Sequence, residues 1–277
     1  MFIDTHAHLE AVDDLDGVLN RAKNIGVGVI VTIGTSLETS KKAVKIAKEF
    51  STDNLKIYAI CGIHPKDGKS DIEKFGLYRC IKTLKQIAKS SKKVVGIGEV
   101  GLDHYLKQET GNKKQETSSR EKKVQKKLFE AQIKLAGELK LPMVIHCRNG
   151  WEEIFSLLTT NYRLRTKIRG VFHSWTGDWD AVKAALDLGF YISFSGIVTF
   201  KNAFVIQDVA RRIPLERVLV ETDSPFLSPE PLRGQPNEPK NVKMVARFIA
   251  DLRSLPFDKI AEVTSRNAQN LFGILNV

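Results

Sequence analysis

The chain lacks the marks of several common protein classes. Its three cysteines, Cys61, Cys80 and Cys147, are odd in number and widely spaced, with no CxxC pair. This argues against a disulfide framework and fits packing residues in a reducing compartment. No apolar run approaches the ~18 to 20 residues of a membrane span, and Met1 leads into a strand-like FID without a basic region or cleavage site. The expectation is a soluble, unexported, cytoplasmic protein that engages no membrane. A glycine-rich phosphate loop is also missing: after the first strand, where an open doubly wound sheet normally carries one, the sequence reads THAHLE.

What is present suits a large α/β core. A length of 277 residues with 42% hydrophobic composition is enough for one barrel, and equally for two small domains. The net charge of +11 favours a polyanionic partner, because a basic surface concentrates phosphates by long-range attraction. Yet most lysines lie on the polar faces of predicted helices, as in KKAVKIAKEF from Lys41 to Phe50, so a solvated basic face accounts for the charge equally well.

Short β-branched or apolar runs recur eight times: FID near Phe2, VGVIVTIG from Val27, KIYAICGI from Lys56, KVVGIGEV from Lys93, PMVIHC from Pro142, IRGVFHS from Ile168, GFYISFSG from Gly189 and RVLVETD from Arg217. Helical spacing separates them, for instance Val124, Leu128, Leu135 and Leu139 on one stripe closed by Pro142. Nearly continuous apolar strands are buried on both faces, and eight of them with crossover helices make a closed (β/α)8 barrel, the TIM barrel. No internal repeat or linker interrupts it, so residues 1–277 read as a single domain. The polar stretch LKQETGNKKQETSS, from Leu106 to Ser119, reads as a flap over a site or as a solvated insertion.

The histidines follow the strands. His6 and His8 come after strand one, His64 after strand three, His146 ends strand five and His173 ends strand six; only His104 lies further into a loop. Glu99 closes strand four and Asp223 closes strand eight. Side chains two apart on a strand point the same way, so His6 and His8 face one spot, and the C-terminal strand ends of such a barrel converge on one pocket. Any one of these residues alone is a satisfied histidine or a capping carboxylate. Together they would strand unpaired polar groups unless divalent ions used them.

In order, FIDTHAHL, GIHP, GEVGLD, PMVIHCR, FHSWTG, FSGIVTF, ETDSPFL, RGQPNEP and RNAQNLFGI resemble the TatD-type metal-dependent deoxyribonucleases over essentially the whole chain. The resemblance implies a TIM barrel with two divalent ions, Mg, Mn or Zn. By motif position His6 and His8 would hold one ion with Asp223, His146 and His173 the other, and Glu99 would bridge them. His64 and Arg148 would meet the substrate phosphate. Two such ions would activate water and screen phosphate charge, with Asp223 accepting a proton. Asp4 shares a strand face with His6, and Glu221 with Asp223, so both are candidate partners that orient ligands. Cys147 should face the helices, and Trp175 is a rim aromatic that packs or stacks on a base.

The implied substrate is DNA, cut by a monomeric 3'-5' exonuclease on single strands, with RNA or tRNA also open. The rivals are an amide or ester hydrolase of the same scaffold, including an aminoacyl-tRNA deacylase, and a binding protein that has lost catalysis. Departures from the pattern are Asn149 where Asp is usual, His104 where Tyr is common, Ser174 and Trp175 in place of Cys-Phe, and the long lysine-rich segment after Tyr105. They bear on substrate preference rather than on the proposed ligands.

Overall fold

A computed structural model describes residues 1–105, 107–108, 114–115, 117–163 and 168–274. The eight expected strands are present: β1 (Phe2–Ala7), β2 (Val27–Ile33), β3 (Lys56–Cys61), β4 (Val94–Asp103), β5 (Met143–Arg148), β6 (Gly170–Phe172), β7 (Tyr191–Phe194) and β8 (Val218–Val220). They pair in chain order, all parallel. The crossovers carry α1 (Leu15–Asn24), α2 (Leu37–Glu49), α3 (Lys69–Phe75), α4 (Leu77–Lys89), α5 (Ser119–Leu139), α6 (Trp151–Arg163), α7 (Trp179–Asp187) and α8 (Phe204–Arg212); α9 (Val242–Leu252) and α10 (Phe257–Phe272) follow β8. This is the (β/α)8 barrel. Among the described residues no helix is long and apolar enough to cross a membrane. Lys107–Gln108 pairs antiparallel with Lys114–Gln115; half of the polar stretch from Leu106 to Ser119 lies outside the described residues.

Strand alternation divides the apolar side chains into two cores. Ile3, Val31, Ile60, Val95, Val144, Val171 and Leu219 fill the barrel, where Leu271 and Phe272 of α10 join them. Phe2, Ile30, Ile57, Val94, Ile145, Val218 and their neighbours face the helices, Cys147 with them as expected. All three cysteines are buried and free.

The alternation breaks in β2, where Val27 and Val29 lie in different cores, and in β1 and β4, which carry site residues. In β1, Asp4 pairs with Ile30 and Ala7 with Thr32, with a register shift between. Ile30 and Ala7 both lie in the helix-side core, so Asp4 takes the outer side while His6 turns inward. This corrects the expectation that Asp4 and His6 share a face. In β4 a register shift lies between Ile97 and Val100, both again helix-facing, which turns Glu99 inward. The strand also runs on to Asp103 instead of closing at Glu99. Irregularities of this kind re-aim side chains beside functional sites. Gly101, at φ +145, allows the continuation: a Cβ there would collide with the His146 carbonyl.

Helix α5 corrects a second expectation. Of the four expected positions Leu128 and Leu135 are buried and Leu139 packs partly buried against the core, but Val124 is exposed; the buried residues are Gln125, Leu128, Phe129, Gln132, Ile133, Leu135 and Ala136. Each glutamine amide brackets one residue's main chain. Gln132 accepts from Ile63 N (2.8 Å) and donates to Ile63 O (3.0 Å); Gln125 does the same with Asp103 at 3.0 and 3.1 Å. Polar residues on a buried stripe are tolerated when both functions of the amide are satisfied.

The barrel closes between β8 and β1 through an isolated bridge, Ala7 with Ser224, and through side chains. Asp4 Oδ1 accepts from Thr222 N (2.9 Å) and Oδ2 from Thr222 Oγ1 (2.6 Å), while Thr5 Oγ1 donates to Val220 O (3.0 Å). Burial pushes the Asp4 carboxyl up to about 8, against the pull of its hydrogen bonds to Thr222 and His6. At neutral pH the group is therefore largely uncharged. Asp4→Asn should keep stability within about 1 kcal/mol, whereas Asp4→Ala, which leaves the buried Thr222 donors unpaired, should cost about 2–4 kcal/mol in urea denaturation at pH 7. Equal losses for the two variants would contradict this account of the seam.

Candidate metal centre

The C-terminal ends of the strands bring together the residues singled out from the sequence. His6 comes from β1 and His8 from its end, His64 from the loop after β3, Glu99 from β4, His146 from β5, His173 from the residue after β6, and Asp223 from the turn after β8. Glu99 is the hub. Its Oε1 lies 2.8 Å from His173 Nε2, 2.9 Å from His146 Nδ1 and 3.6 Å from His64 Nε2. Its Oε2 lies 3.4 Å from His6 Nε2 and 3.7 Å from His8 Nε2. Asp223 Oδ1 completes the His6–His8 side at 3.5 and 3.3 Å.

The donor set fits divalent cations. His6 Nε2 and His8 Nε2 approach to 3.2 Å, as do His146 Nδ1 and His173 Nε2. Ring nitrogens this close need a proton or a cation between them, and two ligands on one tetrahedral ion with bonds of ~2.0–2.1 Å stand about 3.3 Å apart. The buried Nδ1 of His6 has no hydrogen-bond partner. Among the described residues four groupings could hold an ion: His6–His8–Glu99, Glu99–His146–His173, His6–His173–Glu221 and His64–Asp103–His146.

Without an ion the cup is a nest of buried charge pairs. Burial alone would raise Glu99, but the charge of His173 and the hydrogen bonds from His146 and His173 hold it well below the usual carboxylate range. Burial would likewise lower His8; its hydrogen bonds to Asp223 and Glu10 reverse that and hold it up at about 10. Asp103 and Glu99 raise His146 against burial, and Glu99 and Glu221 raise His173. His6 moves the other way, lowered by burial and by His173 beside it.

A second ring of residues aims the first. Glu221, as expected, faces His173 Nδ1 at 3.4 Å and accepts from Ser174 N at 2.6 Å. Three partners were not singled out from the sequence. Glu10 Oε1 lies 3.7 Å from His8 Nδ1. Asp103 Oδ2 lies 3.4 Å from His146 Nε2, and its Oδ1 lies 3.1 Å from Lys66 Nζ. His64 Nδ1 accepts from the backbone of Lys66 and Asp67, at 3.3 Å each, which puts the ring hydrogen on Nε2, toward Glu99.

Arg148 stands at the rim. Its guanidinium stacks on Tyr105 at 3.7 Å from the ring centroid, with Lys66 Nζ 5.1 Å from the same centroid. Both cations, with Lys69 and Arg120, line a cavity of about 1050 Å³ beside Asp103. Three departures acquire local reasons. Asn149, exposed at φ +58, occupies a left-handed turn that asparagine tolerates. His104 turns away from the cup, its Nε2 3.8 Å from Glu153. Trp175 is buried rather than at the rim, packed 4.4 Å from Trp151 with Nε1 bonded to Gly177 O, which corrects the expectation of a rim aromatic.

His8 is held up at about 10, and His146 and His173 are shifted upward as well, so these rings hold protons more tightly than a free imidazole, and an ion needs their lone pairs. Metal binding should therefore release protons and tighten as pH rises from 6 to 8. Titration calorimetry in two buffers of different ionisation enthalpy measures the release. No release, with an affinity flat over that range, would overturn this reading of the cup.

Residues 3–273 match the family model for TatD related DNases. Among similar proteins, the uncharacterized metal-dependent hydrolase YabD of Bacillus subtilis is 38% identical over 277 residues, covering 99% of this chain and 100% of its own. YcfH of Escherichia coli K12, also an uncharacterized metal-dependent hydrolase, is 35% identical over 278 residues, covering 98% of this chain and 96% of its own. The crystal structure of YjjV, a TatD homologue from Escherichia coli K12, superposes with a TM-score of 0.84 at 28% identity, covering 99% of this chain and 98% of that one. Agreement of this extent, in fold and along the chain, leaves one assignment: the protein belongs to the TatD family and is a metal-dependent hydrolase.

Proposed function

We propose that the protein hydrolyses phosphodiester bonds in DNA, as a 3'-5' exonuclease on single strands, using two divalent ions. His6, His8 and Asp223 would hold one ion and His146 and His173 the other, with Glu99 placed to serve both. The observation that carries this reading is the division of Glu99: one carboxylate oxygen faces the His6–His8 pair and the other faces His146 and His173. The family description as TatD related DNase supports the choice of substrate, as does the net charge of +11.

Bound ions would supply an activated water and screen the charge that makes a phosphodiester resist attack. The chain's own residues do the rest. Arg148 presents a planar fork to two phosphate oxygens, pre-positioned by its stack on Tyr105. His64 directs an Nε2–H into the cup. Lys66, tethered to Asp103, adds charge where the strand enters from the side cavity. Asp223, within 3.5 Å of both N-terminal histidines, accepts the proton of the attacking water. A mixed imidazole and carboxylate donor set suits Zn or Mn at least as well as Mg.

The test is digestion of a single-stranded oligonucleotide, end-labelled in turn at each terminus, by chelated protein resupplied with Mg, Mn or Zn. Cleavage should shorten the strand from its 3' end. Glu99→Ala should lose about a thousandfold or more, and Arg148→Ala about ten- to a hundredfold in kcat/KM, of the order expected when transition-state charge stabilisation is removed. Residual cleavage equal to wild type in Glu99→Ala would mark a contaminant. Turnover of an aminoacyl ester, with the oligonucleotide untouched, would replace the nuclease reading by the ester-hydrolase one.

A further inference from the structure

Phe226 follows the Asp223 turn and is 55% exposed. Scattered exposed apolar residues are ordinary; two observations set this one apart. The first is its place. The ring stands 5.7 Å from the His8 ring, edge to face, so the metal cup lies one ring away. The second is its support. Phe226 N donates to Asp223 O (2.9 Å), and Phe226 O accepts from Asn237 Nδ2 (2.7 Å), which also bonds Thr222 O (2.9 Å). Asn237 N in turn bonds Pro225 O (2.9 Å). Asn237 is itself buried, and its Oδ1 accepts from Glu238 N and Asn241 Nδ2 at 2.9 Å each. The backbone is clamped on both sides of the phenylalanine, which fixes the point from which its exposed ring projects.

The barrel sets the orientation. With strands in the order β1 to β8, the β8–β1 seam that carries Phe226 stands across the mouth from β4 and β5, which carry Tyr105, Lys66's partner Asp103, and Arg148. The cations therefore lie on one side of the cup and a bare aromatic face on the other. We infer that Phe226 is a stacking platform for an unpaired nucleobase next to the scissile phosphate. This rests on the proposal that the protein cuts single-stranded nucleic acid. A phenyl face has no donor or acceptor, so it holds any base without reading its edge. A base paired within a duplex cannot offer its face, so the platform selects frayed or single-stranded ends.

The experiment is a cycle between Phe226→Ala and base removal. Metal-loaded wild type and variant are compared on an oligonucleotide and on two copies carrying one abasic nucleotide, placed on either side of the scissile bond. Binding of the labelled strands to metal-free protein is measured in parallel by anisotropy. On the intact strand Phe226→Ala should raise KM and Kd about tenfold, the usual scale for one lost base–aromatic stack, with kcat and metal content nearly unchanged. On one abasic strand the variant should lose nothing further, and Phe226→Trp should restore the intact-strand value. Equal losses on all three strands, or none on the intact one, overturn the platform while leaving the nuclease reading in place. Absence of any Glu99-dependent cleavage of oligonucleotide by wild type overturns both.

Discussion

The structure depends on one buried carboxylate surrounded by imidazoles. Glu99 lies within 3.7 Å of five histidines, in a cup from which water is largely excluded. An ionised carboxylate in such a place is costly unless opposite charge meets it closely, so the five rings and Glu99 have to arrive together. The barrel makes this possible by separating tasks along its axis. The aliphatic layer below, from Ile3 to Leu219 and sealed by α10, supplies the burial; the strand ends above carry the polar load.

This division explains how far the sequence could be read. Eight apolar runs give eight strands because a parallel strand buried on both faces has no choice but continuous hydrophobicity, and histidines placed after those runs must land at one end of the barrel. The positions of His6, His8, His146, His173, Glu99 and Asp223 follow. Side-chain facing was less legible where register slips. Period two gives no warning that an extra residue sits between Asp4 and Ala7 or between Ile97 and Val100, yet those slips turn His6 and Glu99 inward. Asp103 had a usable signal, since it stands an even number of residues after Glu99 and beyond the second slip, but reading it required knowing that β4 continues. Glu10 and Lys66 carried none: one is an ordinary helix-entry acid, the other a lysine in a chain full of lysines.

The departures from the family pattern sort by direction. Asn149 and His104 lie on the outer side of the β4–β5 rim, one serving a turn and the other facing Glu153, while Ser174 donates its backbone N–H to Glu221 and its hydroxyl lies 2.9 Å from Ser195 Oγ. None of them removes a donor from the cup. Further cationic and aromatic groups collect at the rim, where Lys66 and Arg148 both approach the Tyr105 ring and Phe226 stands opposite. The inner cup and the outer rim can therefore vary separately: the first sets what reaction is possible, the second which molecules arrive.

The glutamine brackets of α5 have a quieter effect. Gln132 grips the main chain one residue before His64, and Gln125 grips Asp103 itself. An amide has no proton to lose or gain in the accessible pH range and no charge for salt to screen. The frame that aims these two groups is thus indifferent to acidity and ionic strength, even though the groups it aims are not. Solution conditions therefore act on the occupancy and the charges of this centre while these two main-chain anchors stay in place.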